Sequence, residues 1–313
     1  MEVSIIVPVY NRAALVKRTL DSIAAQTHRQ LHVILVDNAS ADNSRLILDD
    51  FKLRHEDSDF RVSVLCETRR GASAARNTGM RAATSEWIMF FDSDDIMDSH
   101  LVENYVKKIE EAHGNVDMVA TRSDVVNLNG TKHLQPYYSR DIIVNHLFHA
   151  CLSTQRYIVR RELMQRIGGW NEELPCWNDW ELGIRLLFQH PRICFLDDKV
   201  YVHVFLSQVS ITGTSKSAKC GQWELAIDAV ERIILASDEP DKERYLKFIE
   251  FRRITLAALY ANERRFDLAR KLYEPTYARV RTDKTMRWLY PLLYKYIEAG
   301  GIGATHIVKR LVK

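Results

Sequence analysis

Three carboxylates, Asp92, Asp94 and Asp95, stand within four residues, directly after the apolar run 87–91. The sequence therefore crowds negative charge at the mouth of a buried strand. Like charges a few ångströms apart raise each other's pKa and destabilise the fold, and a divalent cation bridging to an anionic ligand removes that penalty. The chemistry this favours is that of an enzyme acting on a metal-bound phosphate compound. The same residues have a plainer use as an Asp-rich turn before a helix, with Asp98 and Ser99 as N-caps.

The elements that must position these carboxylates follow from apolar spacing. Residues 3–9 (VSIIVPV), 31–36 (LHVILV), 61–65 and 86–91 read as strands, and residues 13–25, 42–53, 72–83 and 101–112 as helices, with Asp42 as a cap. Strands alternating with helices of this length predict an α/β fold whose mostly parallel sheet is covered on both faces. In such sheets the ligand crevice lies outside the carboxyl ends of the strands. Those ends carry Tyr10, Asn11 and Arg12, then Asp37, Asn38 and Ser40, then Glu67, Thr68, Arg69 and Arg70, then the aspartates. A carboxylate and amide able to read a base or ribose thus share one rim with arginines suited to phosphate, which predicts a nucleotide diphosphate site. Each residue taken singly is equally at home as a cap or turn residue, Ser40 and Asp42 above all.

Four segments in this order, SIIVPVYN (4–11), VDNASAD (36–42), GASAARNTGM (71–80) and FFDSDD (90–95), resemble glycosyltransferase family 2. Two more, RRELMQRIGGWNEEL (160–174) and NDWELGIRL (178–186), resemble the acceptor-side region of that family, so the resemblance covers about residues 3 to 210. It implies a GT-A fold over residues 1–213, split into a nucleotide-sugar half (1–120) and an acceptor half (121–213), with a helical region at 214–313. It also implies inverting transfer of a sugar from a nucleotide diphosphate sugar to an acceptor hydroxyl, with Mn²⁺ or Mg²⁺ neutralising the leaving diphosphate. By the same resemblance Asp95 ligates the metal, Asp94 faces the ribose or metal as the end of a DXD motif, and Asp92 supports them. Arg70 and Arg76 orient the base or diphosphate, and Pro8, Tyr10, Asn11, Asp37 and Asn38 complete the donor site. The general base falls on Asp179, in the first turn of a predicted helix. There Trp170, Trp177 and Trp180 would raise its pKa and offer stacking faces to a sugar, beside Asn178. Arg185, on the same helix, is expected to pair with a carboxylate.

The chain departs from the family pattern at three places. Asn38 stands where many members have a second aspartate that reads uracil, which leaves UDP- and dTDP-sugars both open as donors. Asn178 replaces the glutamate of a Glu-Asp pair. In residues 201–210, His203 stands at an arginine position and Phe205 at a histidine position; His203 is a metal or phosphate contact by one reading and a structural strand residue by the other. Residues 121–135 predict a hairpin turning at Asn129 and Gly130 and leading away from the sheet.

Composition narrows the surroundings. The five cysteines are scattered without a CxxC pair, which argues for reduced thiols in a cytoplasm and against a disulfide scaffold or zinc site. No apolar window approaches the roughly 18–20 residues of a membrane span, and Met1 leads straight into a strand, so neither secretion nor spanning is expected. From residue 241 to 313 there are 17 Lys/Arg against 8 Asp/Glu, a charge of +9, so with +3 overall the first 240 residues carry −6. The basic part predicts an anionic partner, and without a basic-aromatic platform or zinc finger that partner is lipid rather than nucleic acid. Helices are predicted at 221–236, 242–262, 266–280 and 284–297, and the aromatic and basic residues after 286 suit either the inner face of a membrane, where a glycan or lipid-linked acceptor would be met, or a homodimer interface. Two rival classes share the metal cluster. A sugar nucleotidyltransferase should show a Gly-rich phosphate loop after the first strand, where VPVYNRAAL has none, and a catalytically inactive nucleotide-sugar or carbohydrate-binding scaffold should have lost Asp94, Asp95 or Asp179.

Overall fold

The structure, a computed structural model, describes residues 1–135, 140–206 and 215–312. They divide into two compact units, one drawn from Met1–Arg140 and Cys151–Ser207, the other from Asp141–Ala150 and Gln208–Lys313. The expected boundary at 213 lies outside the described residues.

The first unit is built on alternating elements: β1 (Val3–Val9), α1 (Val16–Ala24), β2 (Leu31–Asp37), α2 (Ser44–His55), β3 (Phe60–Cys66), α3 (Ala72–Ala82) and β4 (Trp87–Phe90). The strands β3, β2, β1 and β4 lie in that order and pair in parallel. Every residue of β1 and β2 is buried, which is why both read as unbroken apolar runs rather than as alternations. One face packs Val3, Ile5, Val7 and Val9 with Val16, Leu20 and Ile23 of α1 and with Leu48 and Phe51 of α2. The other face receives α3 at such close range that a Cβ on Gly79 would lie 2.4 Å from Ile6 Cγ2 and 3.3 Å from Val36 Cγ2. Glycine there sets the depth of α3, and with it the height of Arg76 and Asn77 above the sheet.

Beyond β4 the sheet becomes mixed. It continues through β5 (Ile96–Met97), β6 (Met118–Val126), β7 (Lys132–Leu134), β8 (Tyr157–Arg160) and β9 (Ile193–Phe205), with α4 (Leu101–Glu111), α6 (Arg161–Arg166) and α7 (Asn178–Leu187) between them; α5 (Ile142–His149) belongs to the other unit. β8 runs antiparallel to both β4 and β6, β6 pairs in parallel with β9, and β5 runs antiparallel to β9. The hairpin turns at 127–131 as expected, but its first strand, β6, is an inner member of the sheet and also crosses the expected division at residue 120. The cause is visible in the sequence only afterwards: Met118, Val119 and Ala120 are apolar and fully or almost fully buried, so they extend the hairpin strand into the core.

The second unit contains α5 and five further helices, α8 (Gln222–Ala236), α9 (Lys242–Asn262), α10 (Phe266–Val280), α11 (Met286–Glu298) and α12 (Ala304–Leu311), after a 3₁₀ turn at Ser217–Lys219. Helix α9 lies at its centre, with Phe248, Phe251, Ile254, Ala257 and Tyr260 buried. Arg253, 5% exposed, is held on α9 by Asp228 and Glu231 of α8 at 2.7 and 2.6 Å. None of the described helices is long and apolar enough to cross a membrane.

Candidate active site

The parallel ladder runs on past the strands and delivers the polar residues to one rim. The amide of Asn38 donates to Val9 O at 2.7 Å, that of Glu67 to Asp37 O at 2.9 Å and that of Phe91 to Ile6 O at 2.9 Å. Asn11 (φ 50°) and Ala39 (φ 55°) then take left-handed conformations, a cost of about 1–2 kcal/mol for a residue with a Cβ. The two turns are tied together: Asn11 N–H donates to Ser40 Oγ at 3.1 Å, and Asn11 Oδ1 accepts from Ala41 N–H at 2.8 Å. Pro8 is buried opposite Val36, while Tyr10 is 44% exposed beside them.

The last residue of β2 and the one after it are placed for different work. Asp37 is buried and, among the described residues, its carboxylate accepts only a long 3.3 Å bond from Ser40 N–H, which leaves lone pairs for a ligand. Asn38, 4% exposed, has both donors engaged: Nδ2 donates to Glu67 O and Arg69 O, both at 2.8 Å, and Oδ1 accepts from Gly71 N–H at 2.9 Å. It clamps the loop that follows β3 with both of its N–H groups, so of the reading role expected for it only the second lone pair of Oδ1 remains. An aspartate could not donate to those two carbonyls, which explains why an amide stands there. Within the clamped loop, Arg69 and Thr78 hold the Glu67 carboxylate down at about 2, and Arg70 is exposed.

Helix α3 brings the two halves of the first unit together through adjacent residues. Asn77 exchanges two bonds with the backbone of Trp170, at 2.8 and 2.9 Å, and donates to Glu172 Oε1 at 2.8 Å. The neighbouring Gly169 (φ +73°) admits no side chain, since a Cβ there would lie 2.6 Å from Asn77 Oδ1. Arg76, 5% exposed, donates through Nη2 to Asp92 at 2.7 Å and lies 4.3 Å above the Trp170 ring. Its Nε and Nη1 have no acceptor among the described residues. A buried guanidinium with two idle donors is a seat for an anion.

The three aspartates separate in environment. Asp92 is bound to Arg76, its side chain 30% exposed. Asp94, 19% exposed, lies 3.5 Å from Arg12 Nη2, and Arg18 donates to its carbonyl oxygen. Burial and then the Asp92 charge push its pKa upwards, against Arg12 and Arg18. Asp95 is placed differently from the expectation. It is 1% exposed, and its carboxylate accepts from Phe205 N–H at 2.8 Å and from the Gln155 amide, with Thr19 Oγ1 donating to its carbonyl at 2.8 Å. Burial, followed by the charges of Asp92 and Asp94, raises its pKa well above the usual carboxylate range. Asp95 thus fastens β9 and the 155 loop, and Asp94 and Asp92 are the carboxylates turned outwards. His203 does not join them: its Nδ1 pairs with Asp124 at 2.7 Å. No group of three or more His, Cys, Asp or Glu among the described residues forms a closed metal cage.

Asp179 lies in the first turn of α7, reached through Trp177 in a left-handed conformation (φ 52°). Its Oδ1 accepts from Trp180 N–H at 2.8 Å. Burial raises its pKa, the Asp92 charge adds to the effect, and the Trp180 amide and Arg76 oppose it. Asp92, Arg76 and Asp179 are therefore electrostatic neighbours. Asn178 donates to Ser73 Oγ at 3.1 Å, which joins α7 to the start of α3. Arg185 pairs with Glu181 at 2.7 and 2.8 Å and donates to the carbonyls of Ile167 and Gly169. The tryptophans correct an expectation: Trp180 is fully buried and Trp170 is 2% exposed, its face under Arg76 and Phe90 at its edge, so neither offers a stacking face; Trp177 alone of the three is part-exposed. Arg12 stood among the strand-end residues without a role, whereas Arg18, Gln155 and Asp124 gave no signal, because each sits in an unremarkable helix, loop or hairpin and gains its contact only through the fold.

Similarities to known proteins bear on this arrangement. The chain is 27% identical over 213 residues to the uncharacterized glycosyltransferase EpsJ of Bacillus subtilis, covering 64% of this chain and 60% of that protein. It is 30% identical over 128 residues to the UDP-Glc:alpha-D-GlcNAc-diphosphoundecaprenol beta-1,3-glucosyltransferase WfgD of Escherichia coli, covering 41% of this chain and 47% of the relative. In both cases the match spans less than two thirds of the relative's length. Among solved structures, S. aureus TarS 1-349 in complex with UDP-GlcNAc superposes with a TM-score of 0.67 at 21% identity over 99% of this chain and 91% of the other. Mannosyltransferase PcManGT from Pyrobaculum calidifontis, in complex with GDP-Man and Mn²⁺, superposes with a TM-score of 0.59 at 20% identity over 98% and 83%. The fold is thus the GT-A fold of those enzymes. The family model for glycosyl transferase family 2 matches residues 4–170, more than half of the sequence and the whole rim from β1 to the Trp170 loop, and the chain belongs to that family.

Proposed function

We propose that this chain transfers a sugar from a nucleotide diphosphate sugar to an acceptor hydroxyl with inversion, using Asp179 as general base. The observation that carries the reading is the difference between two neighbouring carboxylates: Asp92 is paired with Arg76 at 2.7 Å, while Asp179, half-buried in the first turn of α7, has its pKa raised by burial and has only the Trp180 amide as a hydrogen-bond donor among the described residues. A carboxylate whose pKa is raised binds the proton of an attacking hydroxyl better than an ordinary aspartate. The bonds exchanged are simple: the acceptor oxygen attaches to the anomeric carbon, the carbon–oxygen bond to the diphosphate breaks, and the hydroxyl proton passes to Asp179.

The donor binds along the rim. Asp37, with free lone pairs, accepts from the base or ribose; Tyr10 borders that place, and the loop clamped by Asn38 presents Arg70. The idle Nε and Nη1 of Arg76 take an anionic oxygen of the donor. A divalent cation fits Asp94 and Asp92: both are hard oxygen donors, part-exposed where Asp95 is buried, and the pKa of Asp94 is raised by burial first and then by the Asp92 charge, a repulsion that a cation relieves. Mg²⁺ and Mn²⁺ in nucleotide sites are held by one or two carboxylates together with substrate phosphates, so a closed protein cage is not required. When bound, the cation supplies electrostatic stabilisation of the departing diphosphate. Asp95 acts behind them by fixing β9 and the 155 loop. The UDP-GlcNAc bound by TarS and the diphosphoundecaprenol acceptor in the name of WfgD support a UDP-type donor and a glycan or lipid-linked acceptor of the cell envelope.

Asp179→Asn tests the assignment. Donor binding, read as thermal stabilisation with Mn²⁺, should persist while transfer falls by about a hundredfold or more, the size of a general-base contribution. Transfer at the parental rate would overturn the role of Asp179. Absence of both turnover and donor-induced stabilisation in the parent would favour a scaffold.

A further inference from the structure

We infer that the outward face of α11, with the turn before it, docks on an anionic lipid surface. Buried Met286, Leu289, Leu293 and Ile297 account for the inward face of this helix. Yet Trp288 and Leu292 are 49% and 62% exposed on the opposite face, one turn apart and within about 40° of each other around the axis. Tyr296, in the same row, donates its hydroxyl to Ile302 O at 2.8 Å, and Ile302 is 89% exposed. A helix apolar on both faces is unusual outside a core or an interface, and a tryptophan with a wet edge suits the boundary between headgroups and acyl chains.

Charge complementarity selects the occupant. Arg281 and Lys284 in the turn before α11 and Arg287 in its first turn are exposed and form no ion pair among the described residues. Elsewhere in the same unit Arg265 pairs with Asp267 at 3.0 Å and Arg270 with Glu274 at 2.6 Å, while Arg232, Arg264, Lys271 and Arg310 are exposed without an ion pair among the described residues; the three cations here differ in standing within eight residues of Trp288. From residue 281 onwards the sequence has seven Lys/Arg against two Asp/Glu. Unpaired cations around an apolar stripe match anionic headgroups over acyl chains, whereas a second copy of the same face would bring like charges together. The inference deepens the transferase reading and rests on it for the lipid-linked acceptor that such a surface would carry.

The test is flotation of the full chain with vesicles of phosphatidylcholine, with and without phosphatidylglycerol. Binding is expected only with the anionic lipid and should weaken as salt is raised. Replacing Arg281, Lys284 and Arg287 by Gln together should cost about a hundredfold in vesicle affinity, at about fivefold per cation. The pair Trp288→Ser and Leu292→Ser should cost at least tenfold with the melting curve kept, because both side chains are exposed. No flotation of the parent, undiminished flotation of both variants, or a concentration-dependent dimer abolished by the Trp288 and Leu292 changes would overturn the inference. Donor hydrolysis separates the two readings: hydrolysis without flotation refutes only the lipid surface, and flotation without hydrolysis refutes only the transferase.

Discussion

Asn38→Asp is an isosteric change that the structure makes expensive. The amide gives two hydrogen bonds, to Glu67 O and Arg69 O at 2.8 Å each, and accepts one from Gly71 N–H at 2.9 Å. The introduced carboxylate keeps only the acceptor role and sets an anionic oxygen against two carbonyl oxygens in a place 4% exposed. Two lost bonds at about 1 kcal/mol each, with the carbonyl of buried Glu67 left unsatisfied, amount to about 2–4 kcal/mol. The deficit should depend on pH with a definite sign. In the folded variant the new carboxyl is disfavoured as an anion, so its pKa lies above the unfolded value of about 3.9, and the variant loses stability as pH rises from there to the folded pKa. Below that range the protonated acid has one O–H to donate and recovers one bond. Urea unfolding of parent and variant at pH 4.5 and pH 8 measures this, with Asn38→Ala as the uncharged control. A deficit below about 0.5 kcal/mol at pH 8, or one equal at both pH values, would refute the clamp.

Gly79→Ala should destabilise by about 1–3 kcal/mol in denaturant unfolding, because the new Cβ meets Ile6 Cγ2 at 2.4 Å; adding Ile6→Ala, which removes that methyl, should cost less than the sum of the two changes, and strict additivity would show that α3 does not press on β1 there. Asp117 is held at about 2 chiefly by its hydrogen bonds to Arg192, so it contributes stability that is present above pH 4 and lost as pH falls through 2. With Arg192 52% exposed, the contribution is about 1 kcal/mol, and Asp117→Asn should flatten that part of the acid limb in pH-dependent melting; an unchanged acid limb would remove the pair from the account.

Much of the site was legible because its parts lie at strand ends. Continuous apolar runs mark β1, β2 and β4, and the residues directly after them reach the rim whatever the rest of the chain does. The bounds of α9 and α10 also match those read from the sequence, although α9 is buried around most of its circumference and shows no single apolar face. The roles within the rim were less legible. Asp94 and Asp95 are chemically identical neighbours, and only burial beside Gln155 and Phe205 assigns one to the framework and leaves the other turned outwards. Trp170 and Trp180 read as sugar platforms because aromatic residues near a catalytic carboxylate suit either a core or a ligand, and packing chose the core.

By itself the sequence determined the alternation of elements, the carboxylate cluster, the base candidate on α7 and the excess of positive charge after residue 240. These are properties of residue type and short spacing, which local propensity and apolar periodicity fix. Tertiary structure alone decided that Asn38 clamps a loop, that Arg76 joins Asp92 to Trp170 with two donors to spare, that β6 enters the sheet and that the cations beside Trp288 stay unpaired. Each of these depends on groups distant in sequence meeting, or failing to meet, and a linear pattern carries no record of which partners the folded chain supplies.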